Sequence, residues 1–167
     1  MADFYQNGIV TTLHNLASRP VEELEAELLS FSAIRPMGLL LPSLYSELEG
    51  PALPKIVENL SQVPYLDQVV IGLDRATGEQ YRKALDFFSV LPQQHRVLWN
   101  DGPRLLALDA ELKELDLAPR ELGKGRNVWY CMGYILAANT VESIALHDCD
   151  ILTYDRAMLA KLIYPVA

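Results

Sequence analysis

Short apolar runs that alternate with segments of helical period constrain this chain more than any other feature. Met37-Gly38-Leu39-Leu40-Leu41 and Gln68-Val69-Val70-Ile71 are too short for helices and carry no polar alternation, the pattern of strands buried on both faces. Arg96-Val97-Leu98-Trp99 and Ser143-Ile144-Ala145-Leu146-His147 continue the series. Between them, residues 50–60 carry Leu53, Ile56, Val57 and Leu60 at helical spacing, and residues 77–88 set Tyr81, Ala84, Leu85 and Phe88 on one face. Further helices are expected over 105–117, 127–138 and 156–163. Pro42, Gly72, Asn100-Asp101-Gly102-Pro103 and Pro119 punctuate the elements, and Gly123-Lys124-Gly125-Arg126 reads as a flexible, basic turn.

Strand–helix alternation of this kind predicts an α/β fold, a Rossmann-like, mostly parallel sheet with helices on both faces. Residues 1–35 read differently, as an N-terminal arm with one amphipathic helix over 15–30. There Leu16, Val21, Leu24, Leu28 and Leu29 recur at helical spacing, Glu22, Glu23, Glu25 and Glu27 lie between them, and Pro20 sits near the helix start. The apolar stripe should pack on the domain 36–167 or on a partner subunit, so a homodimer is one expected arrangement. The chain ends at Tyr164-Pro165-Val166-Ala167, after the helix that follows the fourth strand. A parallel sheet ending there leaves an edge or a face bare, so the α/β domain reads as incomplete at its C-terminus, or as completed by a partner.

With 50% hydrophobic residues the chain can bury a sizeable core. Its net charge of −8 is a poor match to nucleic acid, whose phosphates are bound by Lys and Arg. A nucleotide ligand stays open, because a metal ion neutralises a diphosphate locally. Cys131 and Cys149 fit neither a disulfide framework nor a zinc site and read as buried free thiols. No apolar stretch reaches the roughly 18–20 residues of a membrane span. The start Met1-Ala2-Asp3-Phe4-Tyr5-Gln6 lacks the basic, apolar pattern of a secretory signal, so a cytoplasmic location is the default expectation.

In open parallel sheets ligands bind at the carboxyl ends of the strands. Here those ends are Pro42-Ser43-Leu44-Tyr45-Ser46-Glu47, Gly72-Leu73-Asp74, Asn100-Asp101-Gly102 and Asp148-Cys149-Asp150. Carboxylates recur among them, as a site for a polar, metal-bound ligand requires. Asp148 and Asp150, at i and i+2 after an apolar strand, can offer two hard oxygen donors to Mg2+ or Mn2+, which prefer such oxygens and share them with substrate phosphates. A solvated acidic turn is the alternative reading of the triplet. Lys124 and Arg126 add cationic donors beside two glycines that let backbone approach a ligand; a loop with surface charges is the alternative there. His147 is a third ligand or, by strand alternation, a core residue facing away from Asp148. His14, His95, Trp99 and Trp129 read as structural. No Walker loop, no Gly-x-Gly-x-x-Gly after the first strand and no Gly-x-Ser-x-Gly elbow is present.

Taken in order, these segments resemble the donor-binding half of GT-A-fold glycosyltransferases. Leu41-Pro42-Ser43-Leu44-Tyr45-Ser46-Glu47 is similar to the Leu-Pro-x-x-Asn-Glu-Glu opening of that fold. Gly123-Lys124-Gly125 before a helix and Leu146-His147-Asp148-Cys149-Asp150 continue the likeness. Their order and spacing resemble the glucosyl-3-phosphoglycerate and mannosyl-3-phosphoglycerate synthase family, whose start Phe4-Tyr5-Gln6-Asn7-Gly8-Ile9-Val10-Thr11-Thr12-Leu13-His14 also resembles. The resemblance implies that a hexose moves, with retention, from a UDP- or GDP-linked donor to a small acceptor such as 3-phosphoglycerate, with Mg2+ or Mn2+ as cofactor. It implies that Pro42, Ser43, Leu44 and Glu47 cradle the nucleoside and that Lys124 reaches the base or ribose. Asp148 and Asp150 would serve the ribose-diphosphate and the metal. Where the family carries Asp-Ser after the second strand, this chain has Gly72-Leu73, with Asp74 shifted along. The family's acceptor-binding residues are expected beyond the end of this chain.

Two other readings compete. One is a non-catalytic nucleotide-sugar-binding module. The other is a sugar nucleotidyltransferase, which also uses paired carboxylates and Mg2+, but the first strand is not followed by the Gly-rich, Arg-containing loop such enzymes use.

Overall fold

A computed structural model describes residues 19–167. Its order is α1 (Val21–Ser32), β1 (Met37–Leu44), α2 (Ala52–Leu60), β2 (Gln68–Asp74), α3 (Gly78–Phe88), β3 (Gln94–Trp99), α4 (Pro103–Glu114), α5 (Lys124–Ala138), β4 (Ser143–Leu146) and α6 (Arg156–Ile163). The four strands form one parallel sheet in the order β3-β2-β1-β4, and no described helix is long and apolar enough to cross a membrane. The helix expected over 15–30 begins at Val21; residues 15–18 and the segment Phe4 to His14 lie outside the described residues.

The pleat sorts the apolar residues into two layers. Leu39, Leu41, Val69, Ile71, Leu73, Val97 and Ala145 face α1, α2, α3 and α6, where Leu24, Leu28, Leu53, Ile56, Phe88 and Leu159 complete the larger core. On the opposite face, Leu40 and Val70 pack on Cys131 and Ile135 of α5. Helices on both faces explain why the strands read as continuous apolar runs.

Two strands run past their expected ends. Pro42 was expected to stop β1, yet the strand continues to Leu44 with Pro42 opposite Gly72. The Leu40 carbonyl accepts from His147 N on the β4 side at 3.1 Å. In a parallel strand Pro42, two residues on, points the same way, beyond the last β4 pairing at Leu40–Leu146. Its missing N–H therefore costs the ladder nothing. Likewise β2 passes through Gly72 and Leu73 and ends on Asp74.

The expected helix 105–117 is α4, starting at Pro103 and ending at Glu114. Its leucines Leu106 and Leu108 are exposed, and its one buried residue is Asp109. That carboxylate accepts from Lys113 Nζ at 2.6 Å, from Arg126 Nη2 at 3.2 Å and from the Tyr130 hydroxyl. Hydrogen bonds from Lys113 and Tyr130, with the Arg126 guanidinium behind them, hold it down to about 2 from the ordinary 3.8. A folded-state value below the unfolded one stabilises the fold above the ordinary range and is lost as pH falls through it. The urea midpoint should therefore drop as pH falls from 3.8 to about 2, and Asp109→Asn should flatten that drop.

Candidate functional site

The carboxyl ends of β1 and β2 and the first turn of α5 enclose a cleft of about 190 Å3. Pro42, Ser43, Leu44, Glu47, Asp74 and Lys124, all singled out from the sequence, line it; Gly123, Arg75 and Asn127 complete the wall. Register explains the meeting of the two strand ends, because Leu44 pairs with Asp74. Glu47 closes a 3-10 turn, Tyr45–Glu49, by accepting from Leu44 N at 2.8 Å through one carboxylate oxygen. The buried Ser43 hydroxyl donates to the Leu44 carbonyl at 3.0 Å. Asp74 Oδ1 accepts from Arg75 N at 3.2 Å, and Arg75 sits at φ 55°, a left-handed conformation sparsely used by side-chain-bearing residues.

The basic turn expected at 123–126 is instead the start of α5. Gly123, at φ +131°, makes the reversal that only glycine takes without strain, and the helix begins at Lys124. No side chain caps this helix, so its first N–H groups and its dipole favour an anion at the cleft. Asn127, one turn on and buried, donates through Nδ2 to the Gly72 carbonyl at 2.8 Å. Lys124 Nζ pairs with Asp148 Oδ1. Both side chains are about half exposed, and such pairs contribute little to stability. Opening this one to admit an anion at Lys124 and a cation at Asp148 therefore costs little.

Beyond β4 the chain alternates in depth. His147 is buried, Asp148 half-buried, Cys149 buried and Asp150 exposed. The Cys149 thiol, next to Ser43, is pushed up to about 12 by burial; it acts as an apolar peg that seats the turn on β1 and leaves the two flanking carboxylates outward. His147 packs edge-to-face on Tyr154 at 5.2 Å, and burial holds its ring neutral, down to about 4. The ring therefore sits among core residues, as strand alternation suggested, and neither of its nitrogens has a hydrogen-bond partner among the described residues. Asp101, the carboxylate after β3, accepts from Ala76 N at 2.9 Å and braces the neighbouring loop instead of lining the cleft.

Among the described residues no three His, Cys, Asp or Glu side chains are grouped to hold a metal unaided. Asp148 and Asp150 are two oxygen donors on an open turn. That donor set fits Mg2+ or Mn2+ shared with substrate phosphates and does not form a closed protein cage. A larger hollow of about 610 Å3 runs along the outer edge of β3, between Trp99, Tyr81 and the start of α4. It contains no carboxylate and none of the residues proposed from the sequence to bind nucleotide or metal, so the smaller cleft is the candidate site. Asn127 and Arg75 were missed from sequence because α5 was expected to begin at Asn127 and β2 to end before Asp74. Reading Gly123 as a helix start would have set Asn127 one turn beyond Lys124.

Replacing Lys124 with alanine should weaken nucleotide binding about tenfold, the loss of one charge-assisted contact, without changing the metal requirement. Isothermal titration with and without Mn2+ reads both quantities, and an unaltered dissociation constant removes Lys124 from the site.

No protein-family model matches the chain. It is 51% identical over 166 residues to a glucosyl-3-phosphoglycerate synthase of Persephonella marina, which covers 99% of this chain and 41% of that protein. The enzyme of the same name from Methanococcoides burtonii is 40% identical over 166 residues, or 98% of this chain and 40% of that one. Among solved structures, a Mycobacterium tuberculosis glucosyl-3-phosphoglycerate synthase in complex with Mn2+, UDP and glucosyl-3-phosphoglycerate superposes with a TM-score of 0.54. Its identity is 18%, over 89% of this chain and 44% of that one. The same enzyme with Mn2+, UDP and phosphoglyceric acid also gives 0.54, at 17% identity over 85% and 42% of the two chains. At these identities the structural likeness establishes the shared α/β fold. The chain spans about two fifths of the length of its curated relatives, and over almost all of its own length it is similar to glucosyl-3-phosphoglycerate synthases.

Proposed function

We propose that residues 36–167 form the donor-binding unit of a metal-dependent hexosyltransferase, with residues 1–35 as an arm. The donor is a nucleoside-diphosphate hexose, UDP- or GDP-linked, and the acceptor a small phosphorylated acid such as 3-phosphoglycerate. One observation carries this reading: Pro42, Ser43, Leu44, Glu47, Asp74 and Lys124, scattered in sequence, meet in one cleft, and Lys124 pairs with Asp148 of the acidic turn, which lies outside the cleft's lining.

Within the cleft, Pro42, Ser43 and Leu44 present a shaped wall to the nucleoside, and Glu47 and Asp74 offer acceptors to base or ribose donors. The α5 N-terminus and Lys124 supply positive potential for the diphosphate. Asp148 and Asp150 would hold Mg2+ or Mn2+, which when bound offsets the charge growing on the departing diphosphate. The pocket keeps the donor fixed while the acceptor approaches, and fixed geometry lowers the barrier by prepaid entropy. Retention of anomeric configuration is part of the proposal and rests on the family likeness.

The test is a transfer assay of the full protein with UDP- or GDP-glucose, 3-phosphoglycerate and Mn2+, read by proton NMR at the anomeric position. An α-linked product from the α-linked donor is expected. A β-linked product contradicts retention, and binding without any transfer favours a non-catalytic module.

A further inference from the structure

The first turn of α5 carries Gly123, Lys124 and Asn127 to the cleft, so whatever holds that turn sets the position of the Lys124 ammonium. Two fastenings are visible. On one side Asn127 is bonded to the Gly72 carbonyl. On the other, Arg126, 7% exposed, reaches Asp109 of α4 at 3.2 Å and lies over the Tyr130 ring at 5.1 Å. Asp109 is 3% exposed and accepts from Tyr130 and Lys113 as well.

This second fastening has an unusual composition. Helix α4 has no fully buried apolar side chain: Leu105 and Leu112 are half-buried, and its sole buried residue is the aspartate that grips α5. A helix usually docks by its apolar stripe; here the leucines Leu106 and Leu108 are left exposed. A hydrogen-bonded charge cluster is directional where apolar packing is not, and a buried carboxylate satisfied by three donors tolerates little displacement. The cluster therefore fixes orientation more than it adds cohesion.

We propose that Asp109, Arg126 and Tyr130 form a positioning cluster that sets the first turn of α5, and through it Lys124, for the nucleotide ligand. None of the three lines the cleft, so each acts through the turn it holds. The inference rests on the donor-site reading given above.

The test is a double-mutant cycle on the full chain, read by titration with UDP and GDP in Mn2+, together with amide hydrogen exchange of the unliganded protein. Asp109→Asn keeps the shape and removes the charge. It should raise the dissociation constant about tenfold, and the Asp109→Asn, Lys124→Ala double variant should bind no more weakly than Lys124→Ala alone, because residues in one network are not additive. Exchange at the Asn127 and Val128 amides should quicken about tenfold while the later turns of α5 keep their wild-type rates. Additive losses, or wild-type affinity in Asp109→Asn, overturn the proposal. Exchange needs no ligand: unchanged rates at Asn127 and Val128 overturn the cluster's role by themselves. Faster exchange, with no nucleotide bound even by the wild type, instead condemns the donor-site reading and leaves the fastening standing. Arg126→Lys separates geometry from charge, since Lys lacks the planar fork; it should reproduce the exchange defect, and full rescue by Lys argues against the proposal.

Discussion

Replacing Asp150 with alanine should remove the Mn2+-dependent part of nucleotide binding while leaving the melting temperature unchanged. The side chain is exposed, and among the described residues it forms no ion pair or hydrogen bond, so the fold does not lean on it. Its companion Asp148 is already matched by Lys124. In the proposed site Asp150 is thus the carboxylate of the pair that is left for a cation. Losing even an outer partner of a metal ligand costs roughly 10–100-fold in metal affinity, so loss of a direct ligand should reach at least the upper end of that range. The variant is expected to bind nucleotide equally weakly with and without Mn2+. Wild-type, metal-stimulated affinity in Asp150→Ala would return the triplet to the status of a solvated turn.

A second large effect is expected at Gly72, and it falls on stability. A Cβ there would lie 1.7 Å from Asn127 Oδ1 and 2.6 Å from Cys131 Sγ, both on α5, across the middle of the sheet. Asn127 cannot yield without giving up its bond to the Gly72 carbonyl and stranding a buried amide. Overpacking costs about 1–3 kcal/mol and a stranded buried polar group a similar amount. Gly72→Ala should therefore destabilise by about 3–5 kcal/mol and lower the melting temperature by roughly 10 °C for a chain of this size. It should weaken nucleotide binding too, since Asn127 lines the cleft. Gly133 is the control: a Cβ added there meets nothing within 4 Å, and Gly133→Ala in the middle of α5 should stabilise by roughly 0.5–1 kcal/mol. Thermal melts of the two variants shifting in the same direction would refute the packing account.

The same pair shows where sequence reading stopped. Gly72 and Leu73 were visible as a departure from the family's Asp-Ser, but the residue that fills the space is Asn127, distant in sequence, and no local pattern links them. The parallel sheet was legible because burial on both faces leaves a strand no room for polar alternation, as in Leu39, Leu40 and Leu41. Pro42 misled, because its effect on a ladder depends on which side of the strand still has a neighbour. Periodicity correctly placed a helix after β3, yet Leu106 and Leu108 fall on its exposed face, Leu105 and Leu112 are only half-buried, and the fully buried residue is Asp109, which hydropathy cannot register. At the site, Pro42, Ser43, Leu44, Glu47, Asp74 and Lys124 could be chosen from strand ends and a glycine-flanked lysine. Arg75 and Asn127 depended on element boundaries that only backbone geometry supplies. The depth alternation through His147, Asp148, Cys149 and Asp150 follows from strand pleating carried a few residues past β4.

The central claim is that the cleft between β1, β2 and α5 is a metal-assisted nucleotide-diphosphate site. Calorimetric titration of the purified chain with UDP and with GDP, each with and without Mn2+, tests it most directly. The account predicts saturable binding of one of the two nucleotides that strengthens markedly when Mn2+ is present. Binding of neither nucleotide in Mn2+, or binding indifferent to the metal, would contradict it.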